Sequence, residues 1–280
     1  MTEEQFPVDR AMVVHAHPDD AEFGCSGTLA RLAARGVEVT MVVATNGDAG
    51  GEGDRTHEEL MRVREQEQRA AADILGIDHV INLGYPDGYL TPSLELRRDI
   101  TRQIRKYRPN LVITANPVRN LGPIYGNHPD HLAVGEATLA AVYPTARNPM
   151  AVPELRDLEG LDKWVVDWVY IIGTALAEPN HYEDITDFME QKKAALLAHQ
   201  SQLGPEVAEY ISKADAYTAR QAGEKGLGEM AFAEQFYKLF TGALASDDAR
   251  RLAFPRRYPT EPGRVGRPHE AAQGGGAPVK

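Results

Sequence analysis

Residues 11–45, AMVVHAHPDDAEFGCSGTLARLAARGVEVTMVVAT, form the stretch from which the fold class can be predicted. The short apolar run at 11–16 is typical of a buried strand. A helical pattern follows over 26–34 and stops at Gly36, a residue that commonly ends helices. The run at 37–45 is rich in β-branched residues, which indicates a second strand. A strand, a helix and another strand in this order predict a parallel βαβ unit.

The same alternation continues along the chain, although less regularly in its second half. Further helices are predicted at 57–75, 93–107, 129–143, 185–202 and 229–245. Further strands are predicted at 79–84, 110–115 and 163–173. Because strands that alternate with helices of this length form parallel sheets, the order predicts an α/β fold. We expect a Rossmann-like, mostly parallel sheet covered by helices on both faces.

The last 26 residues differ in composition from the rest of the chain. Residues 255–280 hold five Pro and five Gly, and they carry five basic residues against two acidic ones. Such a composition is typical of a segment that cannot bury a core of its own. We therefore predict one domain over residues 1–254, followed by a basic, Pro/Gly-rich tail over residues 255–280.

The overall composition excludes several classes of protein. There are 41 acidic and 30 basic residues, and this acidic excess argues against a nucleic-acid partner. The single cysteine, Cys25, excludes a zinc site built from several thiolates. Residues 1–10 lack the features of a secretory signal, and no apolar run is long enough to cross a membrane. The sequence predicts a cytoplasmic protein without a membrane partner.

His and Asp residues are concentrated after two of the predicted strands. HAHPDDAE at 15–22 follows the first strand, and YGNHPDH at 125–131 leads into the helix predicted at 129–143. Ligands of open α/β sheets bind beyond the carboxyl ends of the strands. Because parallel strands end at the same edge of a sheet, we expect the two clusters to meet there.

Three of these side chains are suited to a single catalytic metal ion. His17 and Asp20 lie three residues apart across a turn, so both can face one ion, and His131 is predicted to be the third ligand. Catalytic zinc sites use three protein ligands and leave a fourth position open. This set of donors predicts Zn²⁺, although the same nitrogen and oxygen ligands also suit Fe²⁺.

Three further residues of the two clusters are candidates for the chemistry. Asp19 cannot easily share the ion with its neighbour Asp20, because consecutive side chains diverge, so we predict that it takes a proton from water. His128 is predicted to stabilise an oxyanion or to protonate a leaving group. Asp130 is predicted to orient an imidazole ring.

The strings AHPDDAE at 16–22 and HPDH at 128–131 resemble those of the LmbE-like (PIG-L) family of N-acetylglucosaminide deacetylases. Shorter similarities extend the resemblance over roughly residues 11–240. They comprise Thr45-Asn46-Gly47, Arg64 with Glu67, the loop at 83–88 and the HQSQ string at 199–202. The Glu22-Phe23-Gly24 tripeptide is similar to the bacillithiol branch and His15 to the mycothiol branch, so the subfamily stays open.

The resemblance implies a role for each of these residues. His17, Asp20 and His131 would be the zinc ligands, Asp19 the general base and His128 the acid or electrophilic histidine tuned by Asp130. The residues implied in substrate binding are Arg64, Asn46, Tyr125, Asn127 and His199. Arg64 would contact the sugar. Tyr125 precedes His128 by three residues, where mycothiol-type deacetylases have it two before, so Asn127 would share its role.

The function implied by the resemblance is that of a zinc-dependent hydrolase. It would remove an acyl group, chiefly acetyl, from an amino-sugar derivative such as an N-acetylglucosaminide, and it would form a homo-oligomer. An amidase that cleaves mycothiol S-conjugates is the alternative within the family. A metal-dependent phosphoesterase and a non-catalytic sugar-binding protein are the alternatives outside it, and the phosphoesterase would need a second metal ion.

Overall fold

The computed structural model of the chain describes residues 7–51, 53, 55–120, 127–173 and 178–242. These residues belong to one unit, Thr2–Ala243. The predicted tail, the last residues of the predicted domain and Tyr125 lie outside the described residues. A domain over residues 1–254 with a separate tail therefore stays a prediction.

Seven strands form one sheet in the described part of the chain. They are β1 (Arg10–His15), β2 (Glu38–Thr45), β3 (His79–Tyr85), β4 (Leu111–Ala115), β5 (Trp168–Ile172), β6 (His181–Asp184) and β7 (Ala233–Phe240). The strand order is β3-β2-β1-β4-β5-β7-β6. Strands β1 to β5 are parallel to their neighbours among them, whereas β7 runs antiparallel to both β5 and β6.

Eight α-helices are found among the described residues. They are α1 (Asp20–Gly24), α2 (Ser26–Ala34), α3 (His57–Leu75), α4 (Leu94–Tyr107), α5 (Pro129–Ala140), α6 (Pro153–Asp157), α7 (Met189–Leu197) and α8 (Val207–Glu224). A π-helical turn, Ala141–Ala146, continues α5, and a 3₁₀ turn, Thr186–Phe188, precedes α7. None of the described helices is long and apolar enough to cross a membrane.

Helices cover the sheet on both faces, as the sequence predicts. Met12 and Val14 of β1 pack in one buried cluster with apolar residues of α4 and α5. On the opposite face, α2 packs against β2, and Gln68 of α3 contacts Met41 of β2. Side chains of a strand alternate between the two faces of a sheet, so the central strands are buried on both faces. The Rossmann-like fold class is confirmed.

The prediction of a helix at 229–245 is wrong, because this stretch contains strand β7. Phe236 pairs with Ile172 of β5 on one side and with His181 of β6 on the other. The apolar residues Ala233, Phe236 and Phe240 have helical spacing, but the stretch is also rich in aromatic residues that favour strands. The open edge of β5 decides between the two patterns, and that edge exists only in the folded chain.

Smaller differences also follow from tertiary context. The helix predicted at 129–143 ends at Ala140, and Pro144 lies in the π-helical turn that follows it. Proline has no backbone N–H to continue a helical ladder. Strand β6 and helix α8 were not predicted from the sequence.

Arg105 of α4 is buried and holds the chain that follows α5. Its guanidinium lies within 3.5 Å of five backbone carbonyl oxygens, those of Thr145, Ala146, Asn148, Ala151 and Val152. No carboxylate is in this set of contacts, so the side chain serves as a donor to an irregular segment. Its loss would leave several buried carbonyl groups without a partner.

We expect Arg105→Met to lower the free energy of unfolding by about 3 kcal/mol or more, because each unsatisfied buried polar group costs about 1–3 kcal/mol. Guanidinium chloride denaturation of the variant would measure this loss. Arg98→Met is the matched control on the same helix, since Arg98 is half-exposed and forms a surface ion pair with Asp99. Its loss should stay below about 1 kcal/mol. Equal losses in the two variants would contradict the role of Arg105.

Candidate metal centre and active site

The candidate site lies at the carboxyl ends of β1 and β4. The loop after β1 carries His17, and α1 begins at Asp20. After β4 the chain enters α5, which carries His131 in its first turn. Because β1 and β4 are neighbours in the sheet, the two His-Asp clusters meet at one edge.

The three predicted metal ligands converge in the structure. His17 Nδ1 lies 3.1 Å from His131 Nε2, and His131 Nε2 lies 3.0 Å from Asp20 Oδ1. Asp20 Oδ2 is 3.5 Å from His17 Nδ1. Ligand atoms about 2.0–2.1 Å from a tetrahedral ion stand roughly 3.3 Å apart. The His131 nitrogen therefore stands at ligand-to-ligand spacing from both His17 Nδ1 and Asp20 Oδ1, as one shared divalent ion requires.

Backbone amides hold the Asp20 carboxylate in place. The N–H groups of Ala16 and His17 both donate to Asp20 Oδ2, at 3.1 and 2.9 Å. This arrangement leaves Oδ1 directed at His131. The tight turn between β1 and α1 thus aims Asp20 before any ion binds.

Two further carboxylates contact the other ring nitrogen of His17. His17 Nε2 lies 3.1 Å from Asp87 Oδ1 and 3.2 Å from Asp130 Oδ2. Carboxylates of this kind orient ligand histidines and raise their basicity. Asp87 was missed in the sequence, where Pro86-Asp87-Gly88 indicates a turn. Its position after β3, at the edge where the other two clusters lie, was the available signal.

Asp130 contacts a different histidine from the one that the resemblance implies. Its carboxylate reaches His17 and accepts the backbone N–H groups of Gly88 and Leu90, at 2.8 and 3.1 Å. Only its backbone N–H contacts His128, at 3.3 Å from Nδ1. The hydrogen bonds of the Asp130 carboxylate thus go to the buried ring of His17 and not to His128. The charge of Asp130 still acts on His128, whose pKa it raises against the lowering by burial, so its tuning of His128 stays a prediction.

The carboxylates make this site favourable for positive charge. Burial alone lowers the pKa of His17, but its hydrogen bonds with Asp20 and Asp87 outweigh burial and raise the pKa to about 10. Burial likewise lowers the pKa of His131, and the contact with Asp20 reverses the effect, so that this pKa is raised. The same field that favours a proton on these rings favours a bound divalent cation.

Two other groups of described residues have ligand atoms close enough to hold an ion. One is His17 with His128 and His131, and the other is His17 with Asp87 and Asp130. Both Asp130 oxygens already accept backbone N–H groups, so that carboxylate needs no ion to explain its burial. The set of His17, Asp20 and His131 combines two nitrogen donors and a carboxylate oxygen with partial exposure, as an open coordination position requires. The group of His17, His128 and His131 is also partly exposed and is the alternative set of ligands.

Asp19 stands beside the three converging donors and is held by an arginine. Arg64 Nη2 lies 3.4 Å from Asp19 Oδ2 and donates to the backbone oxygen of Pro18 at 2.6 Å. Burial, followed by the charge of the adjacent Asp20, raises the pKa of Asp19 above its usual range. A carboxylate with a raised pKa is a stronger base than an exposed one.

The surroundings of His128 favour its neutral form. Burial and the nearby charge of His17 lower its pKa. Its Nδ1 accepts the backbone N–H of Asp130, and a neutral ring that accepts at Nδ1 carries its proton on Nε2. The side chain is exposed, and its ring centre lies 4.8 Å from that of His17. It can therefore donate to a group held next to His17.

Three of the residues implied in substrate binding are buried. Arg64 is 3% exposed, Asn127 5% and His199 0%. Asn127 exchanges hydrogen bonds with the backbone of Asn120, and His199 Nε2 lies 3.5 Å from Glu22 Oε2. In this structure the three side chains are covered by protein. The burial of Arg64 does not fit the prediction that it contacts the sugar. Motif membership alone does not tell on which side of the site a residue lies.

The two remaining substrate-binding predictions stay untested. Asn46 is half-buried at the end of β2, and its side-chain amide donates to the backbone oxygen of Gly84 at 3.3 Å. Tyr125 lies outside the described residues. Glu67, which the family pattern pairs with Arg64, instead accepts the backbone N–H and the hydroxyl of Ser201.

A cavity of roughly 620 Å³ opens next to the site. Its described lining comes from the glycine-rich loop after β2, the start of α3 and the turn after α7. These residues are Asp48, Ala49, Gly50, Gly51, Gly53, Arg55, His57, Leu60, Ser201 and Gln202. Asp48 connects the cavity to the metal centre, because its Oδ1 accepts the backbone N–H of Asp87 at 3.0 Å. The volume is in the range of small-molecule sites.

Known proteins resemble this chain in sequence and in structure. The profile of the PIG-L family, described as GlcNAc-PI de-N-acetylase, matches residues 12–142, which include both His-Asp clusters. The diacetylchitobiose deacetylase of Thermococcus kodakarensis is 30% identical over 223 residues, covering 78% of this chain and 80% of that protein.

Two further similarities bear on the reaction and on the fold. The mycothiol S-conjugate amidase of Streptomyces coelicolor is 28% identical over 250 residues, covering 70% of this chain and 83% of that protein. A solved structure of N,N'-diacetylchitobiose deacetylase from Pyrococcus horikoshii matches with a TM-score of 0.74 and 26% identity, covering 85% of this chain and 86% of that one.

Proposed function

Because the chain belongs to the PIG-L (GlcNAc-PI de-N-acetylase) family, we propose that it is a metal-dependent N-deacetylase acting on an N-acetylated amino sugar. The observation that carries the proposal is the convergence of His17, Asp20 and His131, with Asp19 and His128 beside them. This arrangement supplies ligands, a base and a hydrogen-bond donor at one sheet edge.

The roles of the residues follow from their positions. A divalent ion held by His17, Asp20 and His131 would supply Lewis acidity, which acidifies water and polarises a carbonyl group. Asp19 accepts a proton from the attacking water, and Arg64 orients its carboxylate. His128 donates from Nε2 to the oxygen of the acetamide, where negative charge develops. The nitrogen of the amide then takes up the proton that Asp19 accepted from water. The C–N bond breaks, and acetate and the free amine are released.

The cavity beside the metal centre supports a substrate larger than one monosaccharide. Its described lining is mostly polar and includes Asp48, Arg55 and His57, which can bind hydroxyl groups. Two relatives are named for their action on diacetylchitobiose, a disaccharide, and we propose a substrate of this class. Zinc as the native ion, a homo-oligomeric state and a cytoplasmic location stay predictions from the sequence.

The runner-up function is hydrolysis of a thiol-conjugate amide. It is favoured by the similarity to a mycothiol S-conjugate amidase, which would use the same ligands, base and donor. The two reactions differ only in the acyl and amine portions, which variable loops select.

We expect the zinc-loaded protein to release acetate from N,N'-diacetylchitobiose. Removal of the ion by a chelator should lower the rate by about 100-fold or more, since Lewis-acid assistance contributes several kcal/mol to the transition state. Adding back Zn²⁺ should restore the rate, and a parallel sample with Fe²⁺ compares the two candidate ions. Acetate release that survives complete metal removal would contradict the proposal, and turnover of a mycothiol S-conjugate alone would favour the runner-up.

A further inference from the structure

Asp19 adopts a backbone conformation that a non-glycine residue rarely holds without support. Its φ angle is 101° and its ψ angle −25°, in the left-handed region. Conformations of this kind persist only where the surrounding structure holds them, and they concentrate at functional sites. Neighbouring groups must therefore hold the backbone of Asp19 in this conformation.

Gln68 of α3 is the side chain that contacts this backbone. It is 0% exposed, and its Oε1 accepts the Asp19 N–H at 3.3 Å. Its Nε2 donates to Glu22 Oε1 at 2.8 Å. Glu22 is itself 0% exposed, and its other oxygen lies 3.5 Å from His199 Nε2. The three side chains form a continuous buried row beneath Asp19.

Arg64 and Gln68 hold Asp19 from one helix. They are four residues apart on α3 and thus lie on the same face. Arg64 contacts the carboxylate of Asp19, and Gln68 contacts its backbone N–H. The side-chain and the backbone positions of the base are therefore set by a single rigid element.

We infer that Gln68, supported by Glu22, is a positioning residue that holds Asp19 in its reactive orientation. The inference rests on the proposed function, in which Asp19 is the base. An amide is suited to this position because it accepts one hydrogen bond and donates another. A methionine of similar size would do neither, and a glutamate would set two carboxylates against each other.

We expect Gln68→Met to lower kcat on N,N'-diacetylchitobiose by about 10- to 100-fold, because small misplacement of a reacting group has effects of that size. KM and the content of one Zn²⁺ per chain should stay unchanged, since no ligand or exposed residue is altered. Hydrogen exchange of the Asp19 amide, followed by NMR or mass spectrometry, should become faster. Gln103→Met is the matched control, because Gln103 is a buried glutamine of α4.

Exchanging the two side chains at positions 22 and 68 distinguishes a loss of Asp19 positioning from a general loss of stability. In the double variant Glu22→Gln with Gln68→Glu, residue 22 can donate to residue 68, which still accepts the Asp19 N–H. We expect this variant to recover kcat relative to either single change and to restore slow exchange at Asp19. Absence of rescue in a double variant that is folded, as judged by its thermal unfolding, would overturn the inference, because this variant restores both the single carboxylate of the pair and the acceptor for the Asp19 N–H.

Two outcomes distinguish this inference from the proposed function. If Asp19→Asn is inactive while Gln68→Met keeps full kcat and slow Asp19 exchange, the positioning role is wrong and the function stands. If Asp19→Asn retains turnover, another group is the base and the positioning inference fails, whereas the proposed function is still decided by the dependence of acetate release on the metal ion.

Discussion

Asp19→Asn is expected to lower kcat on N,N'-diacetylchitobiose by about 10²- to 10⁴-fold, the usual contribution of a general base. Asparagine has the size of aspartate but cannot take up a proton from water. Burial and the charge of Asp20 raise the pKa of Asp19, so the native side chain is a better base than an exposed carboxylate. Steady-state acetate release measures the loss.

Metal content and an exposed aspartate serve as controls for this variant. Asp19 is not among the three converging ligands, so Asp19→Asn should still bind one Zn²⁺ with KM little changed. Asp73 lies on the exposed face of α3, so the control variant Asp73→Asn should leave kcat unaltered. Turnover within a few-fold of the native rate in Asp19→Asn would show that another group is the base.

His131→Ala is expected to abolish both tight zinc binding and deacetylation. It removes the donor that lies 3.1 Å from His17 Nδ1 and 3.0 Å from Asp20 Oδ1, and the two donors that are left do not make a catalytic zinc site. Asp87→Asn should weaken zinc affinity by about 10- to 100-fold, as is typical of a carboxylate that orients a ligand. At saturating zinc this second variant should recover metal content. Competition with a chromophoric chelator measures both affinities.

The third variant of this series, His128→Ala, tests the other possible ligand sets. We expect it to bind zinc normally and to lose kcat, because in the proposed function His128 donates to the substrate and is not a ligand of the ion. Loss of zinc in His128→Ala would instead favour the group of His17, His128 and His131. Loss of zinc in Asp87→Asn, with normal binding in His131→Ala, would favour the group of His17, Asp87 and Asp130.

Part of the candidate site could be predicted from residue order alone. His17, Asp19 and Asp20 are adjacent in the chain, and a strand that ends just before them places them at the ligand-binding edge. His131 belongs to the same edge because its helix also follows a strand. The sequence therefore determined which three donors converge and that Asp19 lies beside them, together with the parallel α/β sheet that carries them.

Burial and the partners of each side chain could not be predicted in the same way. Arg64 and His199 belong to the family pattern, yet a pattern does not distinguish a residue that faces solvent from one beneath the site. Gln68 reaches Asp19 across 49 positions of sequence, and no local signal marks such a contact. Asp87 and Asp130 meet at His17 only because loops from β1, β3 and β4 converge.

Hydrophobic periodicity and strand-end loops are local properties, so the sequence by itself determined the fold class and the sheet edge at which the two His-Asp clusters meet. Tertiary structure alone decided that residues 233–240 form a strand, since the open edge of β5 outweighs their helical spacing. It also decided that Asp130 orients His17 and that Arg64 and Gln68 hold Asp19. These contacts join residues far apart in the chain, and their energies depend on burial that exists only after folding.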